Sequence, residues 1–174
     1  MSVLLPYKIS PYLRNKYLYY FWKSIKDEGI DIISSPNSWI NKSKGYKAVI
    51  IHWPEYLPNL KKSEFEFLEF TIDRLNYFKK FSKIIYFVHN EKPHNTLKRI
   101  EKKLYEAVIE NSDLIFHFNH FSKGLYNLKY RLNKKQFVLS HDNYLKLDNK
   151  KFEKEKLFED LKLNKLKKIV TTIG

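Results

Sequence analysis

The chain has no cysteine among its 174 residues and only four glycines. The first absence excludes disulfides and thiolate metal sites, and it fits a reducing cytosol. The second excludes the glycine-rich phosphate cradles: Gly29, Gly45, Gly124 and Gly174 complete neither G-x-G-x-x-G nor G-x-x-x-x-G-K-[ST]. No G-x-S-x-G elbow is present, which argues against an α/β-hydrolase. No apolar run approaches the ~18 residues of a bilayer-spanning helix. The opening Met1-Ser2-Val3-Leu4-Leu5-Pro6 is too short and uncharged for a secretory leader and reads as a first strand.

What the chain does have is positive charge and aromatic mass. The formal net charge is +14, with 13 Tyr and 13 Phe. A surplus of that size favours anionic partners: nucleic acid, anionic lipid headgroups or phosphorylated substrates. The lysines are spread along the chain, as A/T-rich coding also produces, and no nucleic-acid recognition motif accompanies them, so nucleic acid is the disfavoured partner. The chain is long enough for one complete domain with a sizeable core.

Short apolar runs alternate with helix-length segments. The reading is strands at 2–7, 30–34, 48–52, 83–88, 114–118, 136–140 and 168–174. Helices are expected over 11–28, 62–81, from Asn95 or Thr96 onward, around 121–132 and near 157–161, with 36–45 a polar loop. Pro11 opens the first helix and Gly29 closes it, and Ser63 with Glu66 caps the second. The expected buried stripes are Leu13, Tyr17, Tyr20 and Ile25; Phe65, Leu68, Ile72, Leu75 and Phe78; Leu97, Ile100, Leu104 and Val108; and Phe121, Leu125, Leu128 and Leu132. This pattern predicts the α/β class: a single Rossmann-like domain over 1–174, with a parallel sheet of about six or seven strands and helices on both faces.

Histidine follows the end of four apolar runs: His52, His89, His117 and His141. Ligands of open parallel sheets bind outside the carboxyl ends of the strands, so four imidazoles are expected on one rim. In His52-Trp53-Pro54-Glu55, Trp53 suits stacking on a ring and Glu55 suits hydrogen bonds from hydroxyls. The cluster from His89 to His94 supplies Asn90, Lys92 and His94 as well, a set suited to a polyhydroxylated, phosphorylated ligand. Ser122 follows His117, and Asp142 follows His141. A zinc site on the four histidines is the competing reading, but no HxH or HExxH spacing supports it, and no metal or other cofactor is expected.

The order of these segments resembles the N-terminal half of a bacterial GT-B glycosyltransferase of the large family-four type. Ser10-Pro11-Tyr12 with Tyr17-Leu18-Tyr19 resembles its opening. Ala48–Glu55 resembles "DVVHIHWPE" and Val88–His94 "VHNxxPH". Leu114–Tyr126 resembles "AIIVHSxxSKELL", Val138–Tyr144 "VIPHGNY", and Lys168–Gly174 "KVILFFG", the strand that enters the second domain. The resemblance implies an acceptor-side domain facing a donor-binding domain. It implies that His89 reaches the donor sugar, with Tyr12, His52, Trp53, Glu55, Asn90, Lys92, His94, His117, Ser122 and His141 as acceptor- or substrate-binding candidates. The co-substrate would be a nucleotide-sugar and the acceptor a lipid-linked or surface glycan. A separate donor-domain polypeptide and an anionic membrane surface are the implied partners, with a location in the cytoplasm at the inner face of the plasma membrane. Two departures stand out: Tyr7-Lys8-Ile9-Ser10 replaces a glycine-rich loop, and Asp142 replaces a glycine. The donor domain is expected to be missing from this chain, leaving little or no transfer by the chain alone. The alternative expectation is a non-catalytic basic domain that binds nucleic acid or an anionic membrane.

Overall fold

The computed structural model describes residues 2–12, 16–61, 63–90, 99–130 and 133–139. Lys92, His94 and His141, the stripe residues Leu13, Leu97 and Leu132, and the segments expected at 157–161 and 168–174 lie outside the described residues.

The described strands are β1 (Ser2–Leu5), β2 (Asp31–Ser34), β3 (Tyr46–Ile51), β4 (Lys83–Val88), β5 (Leu114–His117) and β6 (Lys135–Val138). They form one six-stranded sheet in the order β2-β1-β3-β4-β5-β6. Every pairing is parallel. The helices are α1 (Tyr17–Asp27), α2 (Pro36–Ile40), α3 (Glu64–Lys79), α4 (Glu101–Asn111) and α5 (His120–Tyr130). This is a Rossmann-like α/β sheet flanked by helices. The central strands are apolar because both their faces are covered, as in β3 with Val49, Ile50 and Ile51 all buried.

The chain moves one way from β1 to β2, then returns past β1 to build β3 to β6. Right-handed crossovers therefore put α1 on one face and α3, α4 and α5 on the other. Ring contacts agree: Phe21 of α1 packs on Phe87, and Tyr126 of α5 packs on His117. The reversal creates a topological switch point between β1 and β3, where open α/β sheets leave a crevice at the carboxyl edge.

Helix α1 begins at Tyr17, later than Pro11, and Gly29 at φ +78° ends it. Its inner face carries Tyr17, Leu18, Phe21, Trp22 and Ile25, so Phe21 and Trp22 take the place expected for Tyr20. Ser63 and Glu66 form the reciprocal capping box of α3. In α3 the buried residues are Phe67, Leu68, Thr71, Leu75 and Phe78, while Phe65 is exposed. The stripe is rotated by the competition between Phe65 and Phe67. Helix α4 buries Leu104 and Val108 as expected, with Ile100 buried just before it.

Two expectations fail more clearly. Residues 36–45 are not all loop: α2 is capped by the Ser35 hydroxyl, starts at Pro36 and buries Trp39 completely. In α5 the buried residue is Tyr126, whereas Phe121 and Leu128 are exposed.

Part of the basic surplus is structural. Lys134 Nζ donates to the carbonyls of Ile109, Glu110 and Ser112 at 2.8, 2.6 and 2.8 Å, closing the carboxyl end of α4. Lys42 pairs with Asp73 and Lys83 with Asp113 at the surface.

Candidate functional site

Three strand ends meet at the switch point. Tyr7 follows β1, His52 and Trp53 follow β3, and His89 follows β4. Tyr7 ties the first two together. Its hydroxyl accepts from the backbone N–H of His52 at 3.1 Å and of Trp53 at 3.2 Å, and it donates to the Trp53 carbonyl at 3.1 Å. Those backbone groups have left the β-ladder and need partners inside the protein. Burial pushes the Tyr7 phenol well above its ordinary range, so it stays protonated and able to donate. The sequence marks Tyr7 as the end of the first strand and as a departure from a glycine-rich loop; nothing in a single tyrosine at a strand end announces this role.

Register decides which histidines meet. Ile51 pairs with Tyr86, which sets His52 level with Phe87. Side chains alternate along a strand, so His52, Phe87 and His89 share the α1 face. His52 Nδ1 lies 2.9 Å from His89 Nε2. Phe87 stacks on His52 at 4.9 Å, and Phe21 and Tyr17 of α1 meet the same ring edge-on. Around His89, Trp53 stacks at 4.4 Å, Tyr17 meets it edge-on at 4.6 Å, and Phe118 lies at 4.8 Å. The result is a half-buried imidazole walled by three aromatic rings and backed by a fully buried one.

His117 does not join them. It pairs with Val88, one position short of His89, so it points to the opposite face. There its Nδ1 meets Ser122 Oγ at 3.0 Å and its Nε2 meets Gln136 Oε1 at 2.9 Å. Of the three strand-end histidines among the described residues, His52 and His89 converge and His117 does not: His117 and Ser122 serve a buried contact between β5, α5 and β6. His141 lies outside the described residues.

Glu55 also turns inward. The single 3-10 turn at Pro54–Tyr56 buries its carboxylate, which accepts from the Tyr105 hydroxyl of α4 at 2.9 Å. The hydroxyl it meets belongs to the protein. Asn90 lies at the rim, and its carbonyl accepts from Tyr126 at 3.4 Å. Tyr12 is 94% exposed, in the turn before α1, and stands apart from the pair.

Burial holds the His52 imidazole well below its ordinary range, and the neighbouring His89 acts in the same direction. His117 is lowered too, first by burial, with its Gln136 bond partly opposing. An unfolded histidine binds a proton near pH 6.5, whereas these two resist it. Stability from this source is complete above about pH 6.5 and is lost as the pH falls below it. The loss is about 1.4 kcal/mol per pH unit for each fully neutral histidine, until its native titration is reached. Urea midpoints at pH 8, 6.5 and 5 are expected to fall across the lower interval and to fall less in His52→Phe.

Among the described residues, no three His, Asp or Glu side chains are grouped to hold a metal ion. No described helix is long and apolar enough to cross a membrane. No family model, curated protein or solved structure matches the chain.

Proposed function

We propose that this chain is the acceptor-side half of a glycosyltransferase, binding a glycan or glycolipid acceptor at the β1/β3 crevice while a donor-binding body presents the nucleotide-sugar. One observation carries this reading: His89 stands at the switch-point rim between Trp53, Tyr17 and Phe118. Aromatic walls suit the apolar faces of a sugar ring, and an imidazole suits its hydroxyls. In this role His89 hydrogen-bonds the sugar undergoing transfer, orients it and stabilises charge as its bond to phosphate breaks. Trp53 takes the stacking role, and Asn90 contributes to the polar rim. The remaining donor contacts would come from the facing donor-binding body. Its cationic surplus would hold it against an anionic membrane where a lipid-linked acceptor resides.

The test is a fluorescence titration of the whole chain with alkyl glycosides of several common sugars, which present a sugar ring to the His89 imidazole and the Trp53 wall. At least one is expected to bind. Loss of a single sugar-imidazole bond in His89→Ala should weaken it about 3- to 10-fold with helix content unchanged, and Trp53→Ala should weaken it as well. Equal affinity in wild type and both variants would place sugar binding elsewhere and end this reading.

A further inference from the structure

The His52–His89 contact constrains where the protons sit. One imidazole nitrogen must donate to the other across the 2.9 Å separation between His52 Nδ1 and His89 Nε2. If His89 Nε2 were the donor, neutral His52 would carry its own proton on Nε2. That atom is buried and has no hydrogen-bond partner. An orphaned buried N–H is rarer and costlier than an acceptor left without a donor. The ring is 1% exposed, so water does not relieve it. The titratable groups facing His52 are Tyr7 beyond β1, Tyr17 of α1 and His89 beyond β4; the other walls are Phe21, Trp53 and Phe87. Tyr7 spends its hydroxyl on the His52 and Trp53 backbone, so it offers no acceptor to Nε2.

We propose that His52 is a positioning residue: it donates Nδ1–H to His89 Nε2 and locks His89 in the tautomer that carries its proton on Nδ1. With its proton on Nδ1, His89 presents Nε2 to His52 as an acceptor, and Nε2 is withheld from the crevice. A second proton on His89 would have to enter at Nε2, against the His52 N–H. It is accepted only if His52 moves its own proton to the buried, partnerless Nε2. What His89 does for a sugar rests on the reading above; the tautomer lock itself does not.

The experiment is long-range proton–nitrogen correlation NMR on the whole chain at pH 8, with the two imidazoles assigned from single-histidine variants. In the wild type, both rings are expected to be neutral with the proton on Nδ1. In His52→Phe, His89 should shift towards the Nε2–H form that unconstrained imidazoles prefer. In His52→Asn the side-chain amide can still donate, and the Nδ1–H form of His89 should be retained. A His89 proton on Nε2 in the wild type overturns the proposal, as does an unchanged His89 tautomer in His52→Phe. Should His52→Phe fail to fold, the wild-type spectrum decides alone. An intact lock in a chain that ignores every glycoside would remove the sugar reading and leave the lock. A broken lock with glycoside binding intact would do the reverse.

Discussion

Trp39→Ala is expected to lower the unfolding free energy by about 3–5 kcal/mol, the range for deleting a large aromatic from a filled core. Trp39 is fully buried and stacks on Phe78 of α3 at 5.5 Å with the rings 9° apart. Helix α2 is only five residues long, too short to persist by its own hydrogen bonds. Trp39 and the two Arg74 N–H donors to the Ile40 carbonyl, at 3.0 and 2.7 Å, fasten it to α3. The indole Nε1 is buried without a partner, so little hydrogen bonding is lost on truncation. Trp39→Phe, which removes that nitrogen and keeps a ring, should therefore cost less than half as much. Urea unfolding of the two variants checks this. Equal losses would mean that ring packing is not what holds α2.

Tyr7→Phe is expected to cost about 2–4 kcal/mol, since deleting the hydroxyl strands the His52 and Trp53 N–H groups at about 1–3 kcal/mol for each left unsatisfied, while the Trp53 carbonyl keeps the Tyr56 N–H at 3.0 Å. The two losses are not additive, because the strand end relaxes and the rim admits water. The signature is local: amide exchange at His52 and Trp53 should accelerate more than elsewhere in β3. A change under about 0.5 kcal/mol with unaltered exchange at those two amides would show that Tyr7 does not clamp the switch point.

The parallel sheet was legible because each central strand is a short apolar run with a helix-length gap behind it, and that signal survives without partners. The α3 cap was legible because Ser63 and Glu66 stand at the spacing a capping box needs. What the sequence could not show is register. His89 and His117 each end an apolar run, yet a one-residue difference in where the strand stops sends their rings to opposite faces. Trp39 was hidden because a single turn of helix has no period to detect. The α5 stripe misled because Phe121 and Leu128 are apolar at helical spacing, while the side chain that packs is Tyr126, with its polar tip on the Asn90 carbonyl. Glu55 looks like a ligand group in the sequence because a carboxylate after a strand end is ordinarily solvated; the 3-10 turn brings it to Tyr105, fifty residues away.

The central claim is that sugars are received at the carboxyl rim of β1, β3 and β4, against the His89 imidazole. Amide and aromatic shift mapping during titration with the alkyl glycoside that binds best tests it most directly. The account predicts perturbations concentrated at Tyr7, Tyr17, Trp53, His89 and Phe118. Perturbations centred on the opposite edge, at Ser2, Tyr46, Lys83 and Leu114, or on the His117 face, would contradict it.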